Sequence, residues 1–229
     1  MEYPHNRPYT ADDLVRIITL LRDPVNGCPW DKVQTHTSIR MNFLEEAYEA
    51  VDALDLDDPV LMCEELGDVL MQVAFHTCME QETGRFTWEQ VCDGVCQKLI
   101  ERHPNIFGTQ PGYEGITDWD ALKNKEKGRR TLADDLESVP RAMPALMRAA
   151  KLQKRAARHG AALQGADAAA LADAAENLQT AQPASVQAEQ AVGELLFAAA
   201  NLARQAGVDP EQALQKANEA FCTAAGPVA

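Results

Sequence analysis

The chain has little that would place it in an oxidising compartment, in a membrane or on a nucleic acid duplex. Its six cysteines include no Cys-x-x-Cys pair, so a zinc site and a disulfide framework are disfavoured and reduced core thiols are expected. No apolar run approaches the roughly 20 residues that span a bilayer, and the N-terminus has no apolar signal core. A net charge of −14 disfavours duplex nucleic acid as a partner. We therefore expect a cytoplasmic protein.

Strand signals are scarce as well, whereas helix signals recur along the 229 residues. Thr10 and Asp13 form a capping-box pattern ahead of an apolar stripe, and Pro24 ends that helix. The next three helices are predicted from near Ser38 to the break at Asp57-Asp58-Pro59, from about Val60 to Met79, and from about Trp88 to Arg102. Residues 104–119, rich in proline, glycine and aromatics, are predicted to form a loop. The sequence therefore predicts an all-α protein with one or two cored domains.

Apolar stripes predict which side of each helix is buried. The second helix is predicted to bury Ile39, Phe43, Ala47, Ala50, Val51 and Leu54, and the fourth to bury Trp88, Val91, Val95 and Leu99. On the third helix, Glu65, Asp68, Gln72 and His76 share a face with apolar residues. Carboxylates inside an apolar face are unfavourable unless they are paired or ligated. This face is therefore expected to meet a partner group.

Two carboxylate patterns lie on the second and third helices, Glu45-Glu46-x-x-Glu49 and Glu65-x-x-Asp68. Each is spaced for one helix face, and the fifteen residues between them leave room for a turn. If the helices run antiparallel, four carboxylates converge, and like charges so placed repel unless a cation lies between them. Because the ligands are all oxygens, Mg²⁺ or Mn²⁺ fits better than zinc.

Two other interpretations of these acids stay open. Glu-rich helix faces are often merely solvated, and four-helix bundles can hold di-iron through Glu and Glu-x-x-His. The third helix carries His76 two turns beyond Asp68 and without Glu-x-x-His spacing, so a packed or supporting histidine is expected. Phosphate chemistry is the natural use of a magnesium-type site, because such ions bind few carboxylates together with waters and substrate phosphates.

Four further residues have a candidate role. Glu45 is the candidate to orient or deprotonate an attacking water. Lys98 and Arg102, four apart on the fourth helix, are candidates to contact the far phosphates, with surface salt bridges as the alternative. Trp30, in a turn-rich segment, either stacks on a nucleobase or belongs to the core.

The second half of the chain is basic at first and then echoes the first half. Between positions 123 and 158 there are eleven lysines and arginines against four acids. A helical stripe there, predicted to be a solvated face or a phosphate contact, consists of Arg148, Lys151, Arg155 and Arg158. Farther on, residues 65–71 align with residues 191–197, and Gly207 follows the predicted helix there as Gly84 follows the third helix. We interpret this as a second copy of the same helical unit.

An ordered series of motifs runs along nearly the whole chain. The motifs are Gly27-Cys28-Pro29-Trp30-Asp31, Leu44-Glu45-Glu46-x-x-Glu49, Glu65-Leu66-Gly67-Asp68, Gly84-Arg85-Phe86, Arg102-His103-Pro104-x-x-Phe107, Val139-Pro140-x-x-Met143-Pro144-Ala145-Leu146, Lys151-x-x-Lys154-Arg155 and Leu214-Gln215-Lys216-Ala217-Asn218-Glu219. In this order they resemble the MazG family of nucleoside triphosphate pyrophosphohydrolases.

The resemblance implies an all-α fold of two tandem helical-bundle domains, usually dimeric. It implies Mg²⁺-dependent hydrolysis of nucleoside triphosphates to monophosphate and pyrophosphate, used for house-cleaning of the nucleotide pool. The metal ligands that it implies are Glu46, Glu49, Glu65 and Asp68. It also matches the family's phosphate-contacting residues with Lys98 and Arg102.

The second copy departs from the family pattern. Its first acidic motif is replaced near 175–179, its second becomes Ala191-x-x-Glu194, and the basic residues expected after Asn218 are missing. Loss of ligands together with phosphate contacts indicates a decayed site. We therefore predict a MazG-like domain with an intact site at 1–119, a linker at 120–140, and a second MazG-like domain with a degenerate site at 141–229.

The leading hypothesis is an enzyme whose catalytic acids lie in the first domain. They are Glu45, Glu46, Glu49, Glu65 and Asp68. The alternatives are a non-catalytic helical regulator that binds nucleotides or serves dimerisation, and a purely structural bundle. Hydrolysis of a triphosphate would distinguish the enzyme from the non-catalytic regulator. Binding of magnesium would distinguish both of these from the purely structural bundle.

Overall fold

The computed structural model describes residues 2–5, 7–104, 106–108, 126–128 and 130–226. Over these residues the chain forms helices and no β-strand, which confirms the all-α prediction. The α-helices are α1 (Ala11–Leu21), α2 (Arg40–Asp55), α3 (Pro59–Glu82), α4 (Trp88–Arg102), α5 (Leu132–Glu137), α6 (Ala145–Arg158), α7 (Ala168–Thr180), α8 (Val186–Gln205) and α9 (Pro210–Ala225). In the described part of the chain, none is long and apolar enough to cross a membrane. The loop predicted at 104–119 lies mostly outside the described residues.

Capping residues set the helix ends. The predicted capping box of Thr10 and Asp13 is present at the start of α1. The side chain of Asp58 accepts hydrogen bonds from two backbone N–H groups of α3, and Pro59 occupies the first helical position, where its missing N–H costs nothing. Helix α3 continues three residues beyond its predicted end. It closes at Gly84, whose positive φ of 69° is readily adopted only without a β-carbon.

The described residues divide into two compact units, Met1–Ile116 and Thr117–Ala229. In the first unit α1, α3 and the start of α4 enclose a core. The buried members of this core are Ile18, Ile39, Ala74, Phe75, Cys78, Met79 and Trp88. Arg22, after α1, forms a two-point ion pair with Glu82 at the end of α3, at 2.6 and 2.8 Å. Because this core lies along the C-terminal half of α3, the N-terminal half is left to pack against α2 and carry the acids.

Parts of the predicted buried faces are exposed. Val51 and Leu54 of α2, and Val95 and Leu99 of α4, leave about half of their surface open to solvent, so their predicted burial is wrong for the single chain. Helix α4 packs against α3 near its own start, around the buried Trp88. Farther along the stripe, Val91 is half-buried, whereas Val95 and Leu99 remain exposed among the described residues of this unit.

The second unit repeats the helical hairpin of the first. Helices α7 and α8 pack along each other as α2 and α3 do. Gly207, with a φ of 72°, follows α8 as Gly84 follows α3. The side chain of Asp209 then caps α9, as Thr87 caps α4. These shared features support the internal repeat that was inferred from the sequence.

A buried ion pair organises the start of the second unit. Asp135 on α5 is almost completely buried and lies 2.9 Å from the guanidinium of Arg155 on α6, which also donates to the hydroxyl of Ser138. Arg155 is therefore neither a solvated residue nor a phosphate contact, contrary to both interpretations of the basic stripe. Residues 131–140, predicted as part of a linker, instead contain α5 and the buried Val139.

Candidate metal centre

The α2–α3 hairpin places the two acidic patterns at matching heights. A connection of three residues, 56–58, joins two helices that pack along each other, so the helices run antiparallel. Glu49 lies six residues before the end of α2, and Glu65 lies six residues after the start of α3. Glu46 and Asp68 are each nine residues from the same ends. At 1.5 Å per residue, the two levels are about 9 and about 13 Å from the turn.

Glu46, Glu49 and Glu65 form the candidate metal centre. One carboxylate oxygen of each residue lies within 4.8 Å of the corresponding oxygens of the other two. Glu46 and Glu65 are half-buried and Glu49 is exposed. Carboxylate oxygens from two helices, partly open to solvent, fit a hard divalent cation that retains part of its water shell. The donor set therefore suits Mg²⁺ or Mn²⁺.

The acids perturb each other's ionisation. Burial raises the pKa of Glu46, the charge of Asp68 raises it further, and a hydrogen bond from Gln72 acts in the opposite direction. The pKa of Glu65 is raised by burial first and then by the charge of Glu49. Each acid is thus coupled to the one at its own level on the other helix. Such mutual repulsion is relieved by a bound cation.

Two of the predicted acids lie outside the group of three. Asp68 is half-buried on α3 and acts on both Glu46 and Glu65 through its charge. Glu45 is exposed on α2; it lies about 100° around the helix from Glu46, but four residues before Glu49 and therefore on nearly the same face as that acid. The structure therefore brings Asp68 into the electrostatics of the cluster and leaves Glu45 in contact with solvent.

The predicted substrate contacts lie on other segments of the first unit, in α4 and before α2. Lys98 is exposed and Arg102 is half-buried, both in the last turns of α4. Trp30 is 57% exposed and precedes a 3₁₀ turn at Asp31–Val33. This exposure removes the interpretation of Trp30 as a core residue and leaves the stacking interpretation as a prediction.

Sequence analysis gave no role to Gln72, which the structure places against the cluster. Its side chain is buried, and its Nε2 atom lies 3.4 Å from Glu46 Oε1. The signal available in the sequence was a polar residue one turn beyond Asp68 on the same face. His76, one turn farther, stacks on His36 with ring centroids 5.0 Å apart. It is a packed histidine, as expected.

The second unit has a different group of residues at the corresponding hairpin. An open cavity of about 760 Å³ is lined there by residues that include Asp173, Asn177 and Glu194. Ala191, which aligns with Glu65, is buried. In the described part of this unit, no three acidic, histidine or cysteine side chains converge as in the first. This difference supports the prediction that the second site is degenerate.

The first unit is an all-α protein in which a helical hairpin brings carboxylates from two facing helices together as a candidate cation site. Residues 34–107, which contain these acids, match the MazG nucleotide pyrophosphohydrolase domain.

Similar curated proteins share this description. The chain is 41% identical over 219 residues to the nucleoside triphosphate pyrophosphohydrolase of Escherichia coli (strain K12), covering 92% of this chain and 83% of that protein. It is 39% identical over 212 residues to the nucleoside triphosphate pyrophosphohydrolase/pyrophosphatase MazG of Thermotoga maritima, covering 92% and 82%. A Mycobacterium tuberculosis nucleoside triphosphate pyrophosphohydrolase is 34% identical over 154 residues, covering 66% and 46%. The chain belongs to the MazG nucleotide pyrophosphohydrolase family.

Proposed function

We propose that this protein hydrolyses nucleoside triphosphates to nucleoside monophosphate and pyrophosphate with the help of Mg²⁺, for which Mn²⁺ can substitute. The observation that carries the proposal is the convergence of Glu46, Glu49 and Glu65 within 4.8 Å in a chain of this family. Asp68, at the level of Glu46 on the facing helix, completes the proposed set of ligands. A cation held by these residues would neutralise phosphate charge and lower the pKa of a bound water.

At the α-phosphorus the reaction forms one P–O bond and breaks another, and one proton passes from the water to a base. The oxygen of a water molecule attacks the α-phosphorus, and the bond from that phosphorus to the oxygen bridging to the β-phosphorus breaks, so that pyrophosphate leaves. Glu45 is the proposed acceptor of the water's proton, and its exposure on α2 supports access to solvent water. Lys98 and Arg102 are proposed to stabilise the charge that develops on the departing pyrophosphate.

Trp30 is the proposed contact for the nucleobase. A tryptophan that is 57% exposed has a ring face available for stacking, and stacking tolerates any base because every base has a π-face. This arrangement suits an enzyme that clears several nucleotides from the cytoplasmic pool, the house-cleaning role that we propose.

We propose further that the active form is a homodimer. Several apolar side chains of α2 and α4 in the first unit are exposed, among them Val51, Leu54, Val95 and Leu99. Exposed apolar surface of this kind is typical of an interface. Duplex nucleic acid and membranes are not proposed as partners, because the charge of −14 repels phosphate-rich polymers and anionic lipid surfaces alike.

The test is a panel of triphosphates with detection of pyrophosphate, with and without Mg²⁺. We expect release that depends on Mg²⁺ and is abolished by Glu49→Gln with the fold intact. Glu194→Gln is the matched control in the second unit, since Glu194 belongs to no cluster of three among the described residues. Full activity of the Glu49 variant would refute the ligand assignment, and a large loss in the Glu194 variant would move the active site.

A nucleotide-binding regulator is the second candidate. The loss of the acidic cluster from the second unit favours it, because a unit without metal ligands can bind but not hydrolyse. Binding of a triphosphate without any release of pyrophosphate, under the same conditions, would establish this candidate in place of the enzyme.

A further inference from the structure

Gln72 is a buried polar residue that the packing of α3 does not require. It is only 7% exposed and lies one turn beyond Asp68 on the same helix face. Its Oε1 atom is buried and has no hydrogen-bond partner among the described residues. An unpartnered buried acceptor destabilises a fold, whereas a methionine of similar size would fill the space without that cost. The amide is therefore expected to have a role outside the stability of the core.

The other end of the amide identifies that role. Gln72 Nε2 donates to Glu46 Oε1 over 3.4 Å. The reverse orientation would place two acceptors against each other, so the carboxylate fixes the amide with its donor edge toward the cluster. Around Glu46 the neighbouring charges come from Asp68 and Glu49, both of which repel it. Gln72 is thus the neighbour that attracts the Glu46 carboxylate and restrains its direction.

Beyond Gln72, the same face of α3 makes aromatic and charged contacts through His76 and Glu80. The ring of His76 stacks on His36 and meets the edge of Phe43, with centroids 5.0 and 5.8 Å away. Glu80, one turn farther and buried, pairs with His36 and with Arg85. These contacts fix α3 against α2 and the segment before it. The backbone that carries Gln72 therefore has little freedom to withdraw the amide from Glu46.

We propose that Gln72 is a positioning residue of the metal centre, whose amide holds the Glu46 carboxylate in the direction that lets it join Glu49 and Glu65 around a divalent cation. This inference rests on the proposed function, because it concerns the same site. In this role Gln72 acts through Glu46, the carboxylate that its amide contacts, and not on the substrate itself. Removal of such a supporting hydrogen bond typically weakens metal affinity about 10–100-fold.

The test is Gln72→Met in the full chain, with Mn²⁺ alone as the probe. We expect the dissociation constant for Mn²⁺, measured by calorimetry, to rise about 10–100-fold. Without metal, we expect the unfolding temperature to stay the same or rise, because the unpartnered acceptor is gone and the hydrogen bond lost with it is a long one of 3.4 Å. In turnover assays the Mn²⁺ concentration for half-maximal rate should rise by the same factor, with kcat restored at saturating cation. A purely structural residue would give a lower unfolding temperature and no selective loss of affinity.

Gln153 in the second unit offers a matched control. It is also buried, its Oε1 also lacks a partner among the described residues, and its Nε2 donates to the backbone oxygen of Phe197 over 2.7 Å. Gln153→Met therefore removes a buried amide that lies outside the carboxylate cluster. We expect it to lower the unfolding temperature, since a well-formed hydrogen bond is lost, and to leave the Mn²⁺ dissociation constant unchanged.

A double-mutant comparison separates positioning from a general effect on the site. In a Glu46→Gln background, Gln72→Met should add no further loss of Mn²⁺ affinity, because the group through which it acts has been changed. If Gln72→Met fails to fold, Gln72→Asn, whose shorter side chain withdraws the amide from Glu46, carries the same expectations for Mn²⁺ affinity and for the double-mutant comparison, but not for the unfolding temperature, because it keeps a buried amide.

Wild-type affinity in the Gln72 variants, or an equal loss in the Glu46→Gln background, would overturn the inference while the proposed function stands. A wild-type protein that neither binds Mn²⁺ nor releases pyrophosphate would overturn both.

Discussion

Replacing Glu49 by glutamine should remove most of the stabilisation that a divalent cation gives to the fold. Glu49 is exposed, so the substitution disturbs little packing, yet its carboxylate is one of three within 4.8 Å. Its charge also raises the pKa of Glu65. Without metal, Glu49→Gln is therefore expected to be as stable as the wild type or more stable, because a repelling charge is gone.

The size of the effect follows from binding linkage. A cation present at 100 times its dissociation constant adds about 2.7 kcal/mol to the free energy of unfolding. Loss of a ligand should weaken affinity at least as much as the about 10–100-fold that is typical for loss of a supporting hydrogen bond, so the same concentration adds at most about 0.4–1.4 kcal/mol. For a domain of about 100 residues these values correspond to upward shifts in Tm of roughly 11–22 °C for the wild type and about 2–11 °C for the variant.

Calorimetric or fluorescence melting with and without Mg²⁺ measures both quantities in one protein preparation. Glu64→Gln is the matched control, since Glu64 is exposed beside Glu65 and lies outside the group of three. Its charge is the smallest of the causes that raise the pKa of Glu65, so its cation-induced shift should stay close to that of the wild type. An undiminished shift in Glu49→Gln would show that Glu49 is not a ligand. A variant much less stable than the wild type in the absence of metal would refute the argument from repulsion.

Three other perturbations test other parts of the molecule. Asp135→Ala leaves the buried guanidinium of Arg155 without its partner and should cost about 3–5 kcal/mol of unfolding free energy, most of it recovered in Asp135→Ala/Arg155→Met; urea titration measures both. His76 has a pKa lowered by burial and then by its histidine neighbour. The unfolded chain therefore takes up this proton more readily, so stability should fall as the pH drops below about 6.5, and His76→Gln should reduce that slope in urea titrations at pH 7.5 and 5.5. Leu99→Glu places a charge on the exposed stripe of α4 and should shift the protein from dimer to monomer in sedimentation experiments.

Each of these expectations has a clear contrary result. An Asp135 variant as stable as the wild type would mean that the buried pair contributes nothing net. A slope with pH that His76→Gln leaves unchanged would assign the acid sensitivity to other groups. A Leu99 variant that sediments like the wild type would remove α4 from the proposed interface.

The cluster was predictable because its geometry is local. Glu49 and Glu65 are equally far from a turn that Asp58 and Pro59 mark in the sequence, so helix periodicity alone brings their levels together. The same holds for the capping box at Thr10, which depends on residues three apart. Family membership added the identity of the chemistry, which spacing could not supply.

Features that depend on distant partners could not be read from the sequence. Arg155 has the periodicity of an exposed stripe, and only the packing of α5 brings the carboxylate of Asp135 to it. The apolar positions Val95 and Leu99 repeat with helical period whether they face a core or another chain, so periodicity overestimates burial within one chain. Gln72 was placed on the correct face, but its contact with Glu46 needs coordinates for both helices.

The short connection between α2 and α3 also bears on how the chain reaches its folded state. Ends joined by so few residues meet quickly, since closing a small loop takes little entropy and the contacts that follow are close in sequence. We therefore expect the acids of the candidate metal centre to come together when α2 and α3 first pair, before α1 docks against α3. A divalent cation is therefore expected to stabilise this hairpin during folding as well as in the folded protein.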